Sequence, residues 1–259
     1  MLGGLVTAIR TLTILPVPGP EAEEPASALA WFPVVGGALG FVLYGLCLLA
    51  DRVGLGSWPE GTAFVVVFAG SFLTRALHLD GLADSADGFA AMKDREQTLR
   101  IMKDPRVGTF GVLALVAVLS AKWIAVTRLV ETGTALWLVA ACVVSRAVQV
   151  ELAVTLPYSR AEGGTAARFV TGARPVHRLA AWSTALLLLA AVTGPLGLAS
   201  LVAGFAAAKV LGRWFTRRVG GVTGDLLGAS SEIIETALLF AFATAGNLLS
   251  PLAGWSTIL

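Results

Sequence analysis

Residues Thr62 to Gly88 read TAFVVVFAGSFLTRALHLDGLADSADG, an apolar run that reaches His78 and then sets Asp80, Asp84 and Asp87 within two helical turns. The part from Thr62 to Leu79 is long enough to cross a bilayer, which takes roughly 17 to 25 mostly apolar residues. Charge at the end of such a run demands a physical reason. On a helix, positions i, i+4 and i+7 share a face, so the three aspartates form one acidic stripe, and Gly81, Ala83 and Gly88 leave the backbone open to a bulky ligand. Three carboxylates this close repel one another unless a cation sits among them, and an all-oxygen ligand set suits Mg2+ or Mn2+ better than zinc. The pattern points to metal-assisted chemistry on a phosphate. Asp80, Asp84 and Asp87 are candidate metal ligands and candidate proton acceptors, and His78 is open to three readings: a ligand, a base or a satisfied interface histidine.

The rest of the chain has the composition of a membrane protein. Of its 259 residues, 56% are hydrophobic and 14% charged, and the mean hydropathy is +0.79, too little polar side chain to cover a soluble globule. Six further segments join Thr62–Leu79 as candidate spans: Leu29–Ala50, Thr109–Thr127, Thr134–Thr155, Leu179–Thr193, Leu196–Leu211 and Ile233–Ser250. The fifth and sixth spans in chain order are short and meet at Gly194-Pro195, a tight turn. Leu2, Leu5, Ile9 and Leu12 predict an amino-terminal amphipathic helix at the interface, and Met1 to Leu15 lacks the basic region and small-x-small site of a cleaved signal. Cys47 and Cys142 lie inside apolar segments and read as packing residues. The expectation is an all-α, polytopic integral membrane helical bundle of about seven transmembrane helices plus the amphipathic helix, forming a single domain over residues 1–259.

Basic residues set the orientation. With the amino terminus on the cytoplasmic side, Arg10, the loop holding Lys93 to Arg106, the loop holding Arg160 to Arg178, and Arg213, Arg217 and Arg218 share one face, while only Arg52 and Arg128 fall opposite. The positive-inside rule makes the crowded face cytoplasmic. The polar, Gly-rich loops open there too, which predicts a cytoplasm-facing active site in the cell inner membrane. A net charge of +2 points to no nucleic-acid partner; the lipid bilayer is the expected surrounding.

Two further motifs open on that face. Ile101–Gly111 reads IMKDPRVGTFG: Lys103 and Arg106 suit a diphosphate held near a helix amino terminus, and Asp104 suits the metal shell. Gly220–Ala229 reads GGVTGDLLGA: Gly221 and Gly224 allow close backbone approach to a phosphate or nucleotide, and Asp225 adds a metal or hydroxyl contact. Charges at membrane depth are costly unless they face a polar cavity, find a partner or snorkel. Arg75 and Lys122 are the candidates for facing the shared polar site as substrate-binding residues. Arg146 and Glu151 suggest a pair on one helix, and Glu232 and Glu235 suggest stabilisation of a helix amino terminus.

HLDGLADSADG at His78–Gly88, IMKDPRVGTFG at Ile101–Gly111 and GGVTGDLLGA at Gly220–Ala229 together resemble the cobalamin synthases, or adenosylcobinamide-GDP ribazoletransferases. The likeness extends to Arg10–Pro16 and Trp31–Gly36. It implies an integral membrane enzyme, dependent on Mg2+, that joins adenosylcobinamide-GDP to alpha-ribazole or its 5'-phosphate and releases GMP. By position, the family's acidic motif maps to Asp80, Asp84 and Asp87, its Lys-Asp-x-Arg motif to Lys103, Asp104 and Arg106, and its Gly-rich motif to Gly221, Gly224 and Asp225. Pro105 and Leu226 stand where Ser and Thr are common. Other corrinoid-pathway enzymes are candidate partners, and a homo-oligomer is compatible with the sequence. Two alternatives come from the residues: a CDP-alcohol phosphatidyltransferase, whose acidic signature differs where Asp84 stands, and an ion-coupled carrier, for which no matching broken helices occur in the two halves.

Overall fold

A computed structural model describes residues 2–245. The described chain is helical: α1 (Leu2–Leu12), α2 (Phe32–Arg52), α3 (Pro59–Leu73), α4 (Leu77–Ala90), α5 (Arg95–Ile101), α6 (Thr109–Glu131), α7 (Trp137–Thr155), α8 (Ala167–Thr171), α9 (Pro175–Val192), α10 (Gly194–Val219) and α11 (Gly224–Ala245). Six of the described helical segments are long and apolar enough to cross a membrane, or seven if α3 and α4 count as one bent span. The last expected segment, Ile233–Ser250, is met by α11 as far as Ala245; residues 246–250 lie outside the described residues.

α7 is the axis of the bundle. Every residue from Trp137 to Ala153 is buried, although the helix carries Ser145, Arg146, Gln149 and Glu151. It packs against α2, α11, α9 and α10. α2 approaches through Gly36 and Gly40: a Cβ at Gly36 would stand 2.6 Å from the Cys142 carbonyl oxygen, and one at Gly40 2.6 Å from the Val139 Cα. This small-residue seam lets two backbones touch where apolar burial offers little driving force between helices in lipid.

The span expected over Thr62–Leu79 is broken. α3 ends at Leu73, and α4 leaves it at 87°. The cause is local: the Ala76 N–H donates to the Ser71 carbonyl at 2.8 Å and the Arg75 N–H to the Phe72 carbonyl at 2.9 Å, a Schellman cap with Arg75 in the left-handed region at φ 53° where glycine is usual. The aspartates therefore lie on a separate helix set across the end of α3, and Asp80 is in its first turn. The turn at Gly194-Pro195 stands as expected, but α10 runs on to Val219.

α1 is a short helix whose expected apolar face is turned to the core at Leu5, Ile9 and Leu12 but not at Leu2. Gly4, Thr7, Ala8 and Leu12 are buried, while Leu2 is 79% exposed. The Ile14 N–H donates to the Leu73 carbonyl at 2.7 Å, which ties the amino-terminal arm to the α3–α4 break.

Candidate active site

α4 and α11 cross at two glycines. A Cβ on Gly81 would sit 2.6 Å from the Asp225 carbonyl oxygen, and one on Gly228 3.2 Å from the His78 Cα. The missing side chains let the two backbones meet, and this brings the Asp80–Asp84 stripe beside Asp225, nearly 150 residues away in sequence. Thr223, whose hydroxyl accepts from the Leu226 N–H at 3.3 Å, caps α11. Gly221, at φ 157°, has another role than the substrate contact expected of it: a Cβ there would collide with the Pro157 carbonyl. The Val222 N–H donates to that carbonyl at 2.9 Å, and the Ser159 N–H to the Val222 carbonyl at 2.9 Å. Arg95 fastens the same place, donating to Val219 O at 2.7 Å and Ser159 O at 2.8 Å.

A cleft of about 620 Å³ opens above this crossing. Asp80, Gly81, Gly224 and Asp225 form one wall, and Arg10, Arg75 and Arg168 stand among its other lining residues. Asp80 is exposed and Asp84 half-buried. Burial, then the neighbouring Asp80 and Asp225 carboxylates, push the Asp84 carboxyl up to about 7, with the Arg160 guanidinium pulling the other way. Asp225 is held by Arg160 at 2.6 Å and by the Thr223 hydroxyl at 3.2 Å, both on Oδ2. Arg160 was legible only as a loop charge. Arg75 does face the cleft, where its guanidinium donates to the Arg10 carbonyl at 3.0 Å.

Other expected site residues have different occupations. Asp87 accepts the Gly108 N–H at 2.7 Å and the Gly111 N–H at 2.8 Å. It is the anion at the amino terminus of α6, where exposed N–H groups and the helix dipole favour negative charge. Asp104 is taken by Arg106, whose Nε and Nη2 donate at 2.9 and 2.7 Å. The side-chain and backbone hydrogen bonds from Arg106 hold the Asp104 carboxyl at about 2, and Asp104 is not among the charges that move Asp84. Lys103 pairs with Glu162 at 2.8 Å, and neither lines the cleft.

Lys122 turns inward, against the expectation that it faces the shared polar site, and His78, though among the residues lining the cleft, is buried. His78 is 2% exposed, its Nδ1 lies 3.4 Å from the Arg146 guanidinium, and its Nε2 is buried without a hydrogen-bond partner. Lys122 is buried between Glu232 and Glu235, at 2.7 Å from each. Arg146 also pairs with Glu235, not with Glu151. Glu151 takes Lys209 at 2.6 Å and the Trp182 indole N–H at 3.0 Å. Glu232 and Glu235 thus neutralise two buried cations and lie beyond the first turn of α11.

A helical membrane protein with a polar cleft at the end of its spans, carboxylates on one side and guanidinium groups among the rest, has the architecture of an enzyme acting on a phosphorylated substrate at the membrane surface. The model of the cobalamin-5-phosphate synthase family matches residues 4–243, and the chain belongs to that family. It is 47% identical over 247 residues to an adenosylcobinamide-GDP ribazoletransferase of Chlorobaculum parvum, covering 94% of this chain and 96% of that protein. It is 50% identical over 236 residues to the enzyme of the same name from Chlorobium phaeobacteroides, covering 90% and 94%. A Roseiflexus relative of that name is 41% identical over 243 residues, covering 90% and 86%. No solved structure matches the chain.

Proposed function

We propose that the chain is an adenosylcobinamide-GDP ribazoletransferase that joins adenosylcobinamide-GDP to alpha-ribazole, or its 5'-phosphate, with release of GMP. The observation that carries the site assignment is the meeting of Asp80, Asp84 and Asp225 at the Gly81–Gly228 crossing, beside a cleft lined by carboxylates and guanidinium groups. In the reaction, the acceptor's 3'-hydroxyl oxygen forms a bond to the cobinamide-linked phosphorus as the bond from that phosphorus to the GMP oxygen breaks. The hydroxyl proton passes to a carboxylate of the cluster, and GMP leaves with the electron pair.

The donor set fits Mg2+. Among the described residues no three acidic, His or Cys side chains form a ready-made metal cage, but Mg2+ keeps several waters and takes one or two carboxylates plus substrate phosphates. Burial raises Asp84 first and repulsion from Asp80 and Asp225 second, and a bound cation relieves that repulsion. One or two carboxylates of the Asp80, Asp84 and Asp225 group would hold it together with the substrate phosphates, and it would offset charge on the diphosphate and leaving oxygen. Arg75 and Arg168 can donate to phosphate oxygens, and Arg160 sets the angle of Asp225. Asp87 keeps the α6 amino terminus against α4. The crowding of basic residues on the cleft's side, away from Arg52 and Arg128, supports a cytoplasmic site by the positive-inside rule.

The test is turnover by the purified protein in lipid, given adenosylcobinamide-GDP, alpha-ribazole and Mg2+. GMP and a cobalamin product should appear together and vanish with chelator. Release of GMP without a joined product, or turnover unaffected by chelator, would defeat the reading.

A further inference from the structure

A second groove, of about 370 Å³, lies away from the cleft, between the carboxyl-terminal ends of α7 and α10. Thr155 and Leu156 form one side, and Lys209, Arg213 and Arg217 stand one turn apart along the other. Gly212 keeps the groove shallow-walled, since no side chain projects there. Arg213 and Arg217 are exposed, and neither has an acidic or hydrogen-bonding partner among the described residues. Lys209 is already paired with Glu151, but Arg213 and Arg217 are like charges at i, i+4, which repel on a helix and would be relieved by an anion.

The same face of α10 says which kind of anion. One and two turns deeper than Lys209, Phe205 and Val202 are 43% and 73% exposed on a helix that qualifies as a membrane span. The stripe is therefore apolar at depth and cationic at the surface, the polarity of a phospholipid standing beside it. Basic pockets between spanning helices on the cytoplasmic side are suited to anionic headgroups. We infer that this groove binds an anionic phospholipid, with its phosphate on Arg213 and Arg217 and its acyl chains along Phe205 and Val202. The site is separate from the carboxylate cleft and uses none of its residues.

Native mass spectrometry of the full-length protein in detergent, with phosphatidylglycerol and phosphatidylcholine competing, tests the assignment. Phosphatidylglycerol should be retained preferentially, and the preference should fall by about ten- to thirty-fold in the Arg213→Gln/Arg217→Gln double variant, and by about fivefold in either single variant, which serves if the double variant does not fold. Inorganic phosphate should not displace the lipid, because it lacks the acyl chains. No lipid preference in the natural protein, an unchanged preference in the variants, or displacement by inorganic phosphate would each overturn the inference.

Discussion

Two charge clusters sit on α11 one above the other, and they differ in whether their charges cancel. In the interior, Lys122 and Arg146 meet Glu232 and Glu235, two cations with two anions, all buried. At the cleft, Asp80 and Asp225 stand in the lining and both act on the half-buried Asp84, with Arg160 the cation that both Asp84 and Asp225 feel. The balanced cluster is architecture: it makes four charges tolerable inside a membrane bundle and fixes α6, α7 and α11 in register. The unbalanced one is where we propose a ligand, since its repulsion falls when a cation or a proton arrives.

The contrast is broken most severely by Glu235→Ala, which strands Arg146 and part of the Lys122 charge in the interior. Removing one partner of a buried pair costs about 3–5 kcal/mol, so the thermal midpoint in detergent should collapse or the protein fail to accumulate. Asp84→Asn should do the opposite: fold normally by circular dichroism and lose about 100-fold or more in turnover, as loss of metal-borne charge stabilisation requires. Asp87→Asn sharpens the line between the two. It weakens charge-assisted bonds to two backbone N–H groups, so a stability loss of about 1.5–3 kcal/mol is expected with a smaller fall in turnover than at Asp84.

A pH effect follows from the cleft. The Asp84 carboxyl, held near 7, must lose its proton to ligate a cation. Divalent-metal affinity should therefore be full above about pH 8 and weaken as pH falls through 7, by calorimetric titration at matched ionic strength. Smallest is Lys103→Ala: its pair with Glu162 is exposed, so stability should change by no more than about 1 kcal/mol.

Much of the fold was legible because membrane spans advertise themselves by length and apolarity, and the loops by their basic residues. The α3–α4 break was not, because the left-handed cap residue is Arg75 rather than the glycine that marks such stops. The supposed Arg146–Glu151 pair failed on geometry: five residues along a helix is a rotation of about 140°, which puts the two on different faces, and each pairs with another helix. The acidic stripe and Asp225 could be read as a site, whereas their supports could not. Arg160 looked like any loop cation, and the glycines at 81 and 228 revealed their purpose only once α4 and α11 were seen to cross.

The most direct measurement of the central claim is Mn2+ binding, followed by electron paramagnetic resonance, to the protein in detergent with a guanosine diphosphate present. The account predicts specific binding to the natural protein, loss of that binding in Asp84→Asn, and retention in Lys103→Ala. Binding to Asp84→Asn as tight as to the natural protein would contradict it.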